Sequence, residues 1–89
     1  MNDPVVNRLR EQIAVHDRAI LEAVNARLEL VAELRAHKER IGLDFVDAEQ
    51  EERLVRALED ANRGPLSRKA VRELFQEILA LMKREVTRG

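Results

Sequence analysis

Apolar residues recur at intervals of three and four along the first half of the chain. Val6, Leu9, Ile13, Ile20, Val24, Val31 and Leu34 share one face of a helix, and His16, Arg27 and Lys38 fall in the same register. That spacing is the period of an α-helix with one buried side. Asp3 followed by Pro4 is a start signal, because an Asp side chain caps free N–H groups and Pro is tolerated in a first helical turn. No Gly or Pro then occurs until Gly42. The pattern predicts a single helix over about 4–41.

Such a helix is roughly 55 Å long at 1.5 Å per residue, whereas a compact domain of this length has a radius of gyration of about 12 Å. It must protrude, and its apolar stripe needs a second chain to cover it. Gly42 is placed to end the helix, and Phe45 and Val46 can pack back on the core. A second helix is predicted over about 47–61, with Glu51, Leu54, Leu58 and Ala61 on its stripe, Val55 beside it, and Asn62-Arg63-Gly64-Pro65 ending it. Ser67 caps a third helix over about 67–86. Its apolar face carries Val71, Leu74, Phe75, Ile78, Leu79 and Met82, with Val86 extending it and Arg68, Lys69, Arg72 and Glu73 largely opposite. The expected fold is all-α, one domain over 1–89 with three helices per chain, assembled as a helical homodimer.

Composition removes several classes of function. Sixteen Lys and Arg against seventeen Asp and Glu leave a net charge of −1, so no bulk positive field attracts nucleic acid or an anionic membrane. Two Phe with no Trp or Tyr nearly exclude base stacking. With no cysteine, disulfides, thiolate catalysis and thiolate metal sites are ruled out. No segment has the apolar length of a membrane span or signal peptide, so the default is a soluble cytoplasmic protein. His16 and His37 lack metal-ligand spacing, His16 reading as a polar interface residue, and no nucleophile stands beside a base. No metal and no cofactor are expected.

The informative residues are charged groups on the stripes, since burying a charge without a partner is costly. Arg27 and Lys38, eleven residues apart, point the same way about 16 Å apart along the axis. They can reach opposite ends of one small molecule. Arg10, on the flank of the face, is about 25 Å from Arg27, but an antiparallel partner helix can bring the second chain's Arg10 alongside it. Taken singly, each cation also admits a plainer account, with its stem on the core and its head in water, or with Arg27 paired to a Glu across an interface. Together with Asp47 and Glu51, the three match a ligand with two anionic groups and a hydroxyl.

These residues resemble the all-helical class of chorismate mutases, over about residues 6–86. The similarity is carried by Leu9-Arg10-Glu11-Gln12-Ile13, Asp17, Ile20-Leu21, Asn25-Ala26-Arg27, Leu30-Val31 and Lys38, then by Val46-Asp47 with Glu51, and by Leu74-Phe75-Gln76-Glu77-Ile78. The resemblance implies an intertwined dimer with two shared sites that converts chorismate to prephenate in aromatic amino-acid biosynthesis. It implies that Arg27 and the second subunit's Arg10 clamp the carboxylates of the dianion, that Lys38 binds a carboxylate and the breaking ether oxygen, and that Glu51, with Asp47 beside it, receives the ring hydroxyl.

The chain departs from the family at the edges of this site. Gln50 stands where an Arg is common, Met82 where the pocket is often small or polar, and Val86 where a Gln or Glu usually gives the ether oxygen a second hydrogen bond. Losing one such donor costs about 10²- to 10³-fold in other enzymes, so a mutase of low activity is expected. Arg53 and Glu85 could compensate, but neither lies on the expected face. Two alternatives stay open, an isochorismate-pyruvate lyase and a weakly active or non-catalytic regulatory or dimerisation module that works with a partner enzyme of the shikimate pathway.

Overall fold

The computed structural model describes residues 3–88 as three helices, α1 (Pro4–Ile41), α2 (Ala48–Ala61) and α3 (Arg68–Arg88). Residues 1, 2 and 89 of the 1–89 domain lie outside the described part. Each helix boundary has a local cause. Asp3 Oδ1 accepts from the N–H groups of Val5 and Val6 at 2.8 and 3.0 Å, so two donors that open the helix are satisfied. At the far end Gly42 sits at φ +75°, and the N–H of Leu43 returns to the Lys38 carbonyl at 2.8 Å. This left-handed closure suits a residue without Cβ.

The second helix begins one residue later than the pattern predicts, because Asp47 is its cap and accepts from the Gln50 N–H at 3.1 Å. After α2 the Asn62 side chain organises the turn. Its Oδ1 accepts from the Gly64 N–H at 3.0 Å and its Nδ2 donates to the Leu66 carbonyl at 2.7 Å, with Gly64 at φ +82° and a cis Gly64–Pro65 bond. Ser67 Oγ then accepts from the Ala70 N–H at 3.1 Å to start α3, which runs on to Arg88.

Helix α3 is the element on which both α1 and α2 pack. Among the described residues, the buried ones are Val55, Val71 and Met82. Val55, expected beside the α2 stripe, is thus at its centre, while Ala61 at its end is exposed. Arg72 also departs from its expected place opposite the apolar face. It lies half-buried between α2 and α3, with Nη1 and Nη2 donating to the two Glu52 oxygens at 3.0 and 2.8 Å and Nη2 also reaching Glu59 at 2.8 Å. A helix flanked by two neighbours has side margins as well as an inner face, and a guanidinium fork suits such a margin.

Glu52 receives Arg56 as well, at 3.0 Å, and hydrogen bonding from Arg72 and then Arg56 holds its carboxyl down at about 2. A carboxyl depressed in the folded state adds stability that is complete above its ordinary range and lost as pH falls towards the folded value. Arg72→Met is therefore expected to lower the thermal midpoint at neutral pH, with the gap to wild type closing as pH drops from about 5 to about 2. Equal gaps across that window in circular-dichroism melts would count against the network.

No residue of α1 is buried. From Pro4 to Ala23 every residue except Ala14 is exposed, and Leu9, Ile13 and Ile20 are among the large apolar groups in water. The radius of gyration is 16.9 Å and the long dimension 59 Å, against about 12 Å for a compact chain of this length. Helix α1 projects well beyond the part of the fold that packs on it.

Candidate active site

Where the C-terminal half of α1, the start of α2 and the C-terminal half of α3 meet, they enclose a cavity of about 220 Å³. Helix α1 contributes Arg27, Val31, Leu34 and Lys38, at positions spaced three or four apart, so one face of one helix supplies a wall. The connection to α2 contributes Phe45, Val46 and Asp47, and α2 itself Gln50, Glu51 and Leu54. Helix α3 closes the space with Leu79, Met82 and Lys83. The volume is below the range of about 300–1,000 Å³ typical of drug-sized ligands, which points to a small one.

Two of the expected cations face this space. Arg27 and Lys38 are both half-buried, and neither takes part in any ion pair among the described residues. Lys38 Nζ donates instead to the Phe45 carbonyl at 3.2 Å. That neutral contact steadies the side chain and leaves its charge uncompensated. Positive charges held at a small cavity without an acidic partner favour an anion.

The acidic edge lies at the start of α2. Asp47 lines the cavity, although one of its oxygens is committed to capping α2. Glu51 is half-buried, and both of its oxygens meet Lys83 Nζ, at 2.8 and 3.0 Å. Gln50 lines the same edge, and its Oε1 accepts from Arg53 Nε and Nη2 at 3.2 and 3.0 Å. Arg53 is thereby held on the exposed side of α2, and Glu85 pairs with Arg88 at 3.1 Å.

Two of the named residues are not among those lining the cavity. Arg10 lies exposed near the free end of α1, about 25 Å along the axis from Arg27. Val86, expected on the far wall, has its carbonyl bound by Arg35 Nη1 at 2.9 Å. The Arg35 guanidinium also lies 5.9 Å from the centre of the Phe45 ring, so this residue ties the end of α3 and the α1–α2 connection to α1.

Lys83 was missed from the sequence. A signal existed, since Leu79, Lys83 and Val86 are spaced four and three apart, so Lys83 is a charge in apolar register on α3, as Arg27 and Lys38 are on α1.

Among the described residues there is no cluster of three or more His, Cys, Asp or Glu able to hold a metal, and no helix is long and apolar enough to cross a membrane. The cavity lining itself supplies fixed charges and hydrogen-bond donors, from Arg27, Lys38 and Lys83, beside the carboxylates Asp47 and Glu51.

The family model for chorismate mutase type II matches residues 9–86. Two solved structures of chorismate mutase from Thermus thermophilus are similar to this chain. Form II superposes with a TM-score of 0.90 at 28% identity, covering 94% of this chain and 96% of that one. Form I gives 0.85 at 30% identity, covering 86% and 96%. No curated protein matches the sequence significantly.

Proposed function

The chain belongs to the type II chorismate mutase family and is a chorismate mutase, an isomerase that converts chorismate to prephenate, and we propose that the cavity between its helices is one half of an active site completed by a second copy. The observation that carries this assignment is the pair Arg27 and Lys38, half-buried at one small cavity and free of ion pairs with described residues.

The reaction is a one-step rearrangement. The bond from the ring carbon to the ether oxygen breaks as a carbon–carbon bond forms at the other end of the enolpyruvyl group, and no proton changes hands. The protein's task is to hold a flexible dianion in the compact conformer that brings the bond-forming carbons together, and to stabilise the charge that grows on the ether oxygen. Arg27 grips a carboxylate. Lys38 donates to a carboxylate and to the ether oxygen, where a positive charge is worth more in the transition state than in the ground state. Glu51, with Asp47 beside it, accepts the ring hydroxyl and so fixes the ring against the α2 edge.

Arg10 completes the clamp from the partner. Two α1 helices packed antiparallel bring Arg10 of each chain to Arg27 of the other, and the same packing covers Leu9, Ile13 and Ile20, which are exposed in the single chain. An isologous interface of this kind yields two equivalent sites. The proposal includes the cytoplasmic location and, as a further element, contact with another enzyme of the shikimate pathway.

Purified protein is expected to consume chorismate and release prephenate in equal amounts, at a rate unaffected by a chelator or by added cofactors. Isochorismate should release no pyruvate beyond its spontaneous rate. Chorismate loss at the uncatalysed rate, or pyruvate release as the faster reaction, sinks this reading.

A further inference from the structure

Helix α3 brings only three residues to the cavity, and two of them, Leu79 and Met82, are hydrocarbon or thioether. The third is Lys83. We propose that Lys83 is a substrate-binding residue of this site, whose ammonium stays on Glu51 and donates a further hydrogen bond to the ether oxygen of the bound dianion. The proposal rests on the reading of the cavity as the mutase site.

Three observations carry it. The first is position. Lys83 Nζ lies 2.8 and 3.0 Å from the two Glu51 oxygens, and both residues line the cavity that contains Arg27 and Lys38. In chorismate the ring hydroxyl and the ether oxygen are on adjacent carbons. When Glu51 accepts the hydroxyl, a donor already seated on that carboxylate is one hydrogen bond away from the ether oxygen. An ammonium has three N–H donors and a rotatable stem, so it can serve carboxylate and ligand together. The pair is half-exposed, with side-chain accessibilities of 37% for Lys83 and 27% for Glu51, and ion pairs of that exposure are weak enough to yield one donor to a ligand.

The second is charge. The cavity lining holds the cations Arg27, Lys38 and Lys83 and the carboxylates Asp47 and Glu51. Adding Arg10 from a second subunit gives four positive groups to set against these two carboxylates and the two of the ligand. The filled site is then neutral, whereas without Lys83 it closes on an uncompensated negative charge, which a partly enclosed space penalises.

The third is the state of the two neighbours from which another contact was expected. Gln50 brings no cation, and its amide oxygen is occupied by Arg53. Val86 offers only hydrocarbon from its side chain, while its carbonyl is held by Arg35. One turn before Val86 on the same side of α3, Lys83 supplies a donor that also carries a full charge, and charge-assisted hydrogen bonds are the stronger kind. During the rearrangement Lys83 keeps its proton and only its hydrogen bond to the ether oxygen strengthens.

The test is steady-state kinetics on chorismate for wild type, Lys83→Met and Lys83→Arg, with thermal midpoints for each and calorimetric titration of a bicyclic dianion that mimics the transition state. Lys83→Met keeps the length of the stem and removes charge and donors. It is expected to lower kcat by about 10²-fold, the scale for one lost oxyanion-type donor, with a smaller change in KM, a midpoint close to wild type and weaker binding of the mimic. Lys83→Arg is expected to recover part of the rate. A kcat for Lys83→Met within about threefold of wild type, below the smallest effect expected of such a donor, overturns the role of Lys83 and leaves the mutase site standing. The converse result, folded wild type that does not accelerate chorismate loss, removes the reading of the site. The titration then decides Lys83 alone, since mimic binding that the Met variant preserves overturns it and binding that the variant loses upholds it. Should Lys83→Met fail to fold, Lys83→Arg and Lys83→Gln are compared, and equal kcat for the charged and neutral donors together with wild-type binding of the mimic overturns the proposal.

Discussion

Arg27→Ala is expected to lower kcat/KM for chorismate by about 10³-fold or more, and Arg10→Ala to lower it strongly as well. Removing one partner of a desolvated, hydrogen-bonded charge pair costs about 2–5 kcal/mol. Here the loss is felt twice, because a carboxylate that is poorly gripped also leaves the enolpyruvyl group free to leave the reactive conformer. The decisive form of the experiment mixes the two variants. Arg27→Ala and Arg10→Ala chains, unfolded together and refolded, form mixed dimers in which one site carries both substitutions and the other carries neither. With random pairing half the dimers are mixed and one of their two sites is intact, so activity returns to about a quarter of wild type. Activity that stays at the level of the separate variants means that Arg10 does not act across the interface, and the shared site would have to be abandoned.

The second large effect concerns assembly. Ile20 is 61% exposed in the single chain, and it lies on the same helical face as Ile13 and Arg27. Ile20→Glu is expected to dissociate the dimer and lower its thermal midpoint by more than about 10 °C. Burying an isoleucine is worth about 1.5–3 kcal/mol, two-fold symmetry doubles the loss, and the new carboxylate must be desolvated or the interface given up. For a chain of this length each kcal/mol moves the midpoint by about 4–8 °C. The control is Val15→Glu. Val15 is 55% exposed, nearly as open as Ile20, but it lies on the opposite side of α1, so its substitution should leave both mass and midpoint close to wild type. Sedimentation and melts at two protein concentrations distinguish the two, because a dimer's midpoint depends on concentration. If Ile20→Glu sediments as wild type does, α1 is not the interface.

The Ile20 and Val15 pair shows where the information about this protein lies. In the single chain the two are almost equally exposed, so the coordinates of one copy do not separate them. The helical phase does, because it places Ile20 with Arg27 and Lys38 and Val15 on the far side. Helix α1 was legible from Pro4 to Ile41 for the same reason that its caps were. Asp3, Gly42 and Ser67 act on N–H and carbonyl groups within a few residues of themselves, and such local chemistry is written in the order of residues. The common register of Arg27 and Lys38 is local in the same way, since a straight helix carries its phase across three turns.

What lay beyond the sequence was every juxtaposition between helices. Nothing in the neighbourhood of Lys83 or of Glu51 says that they meet at 2.8 Å, or that Arg72 turns into the margin between α2 and α3 to reach Glu52 and Glu59. The α2 pattern puts Val55 beside the stripe, yet it is buried against α3, and nothing near Arg35 in the sequence says that it holds the Val86 carbonyl. Period and capping depend on residues a turn apart, and so they set the helices and the facing of the α1 cations. Which charges become partners depends on how side chains 13 to 32 residues apart along the chain pack together, and only the assembled helices contain that.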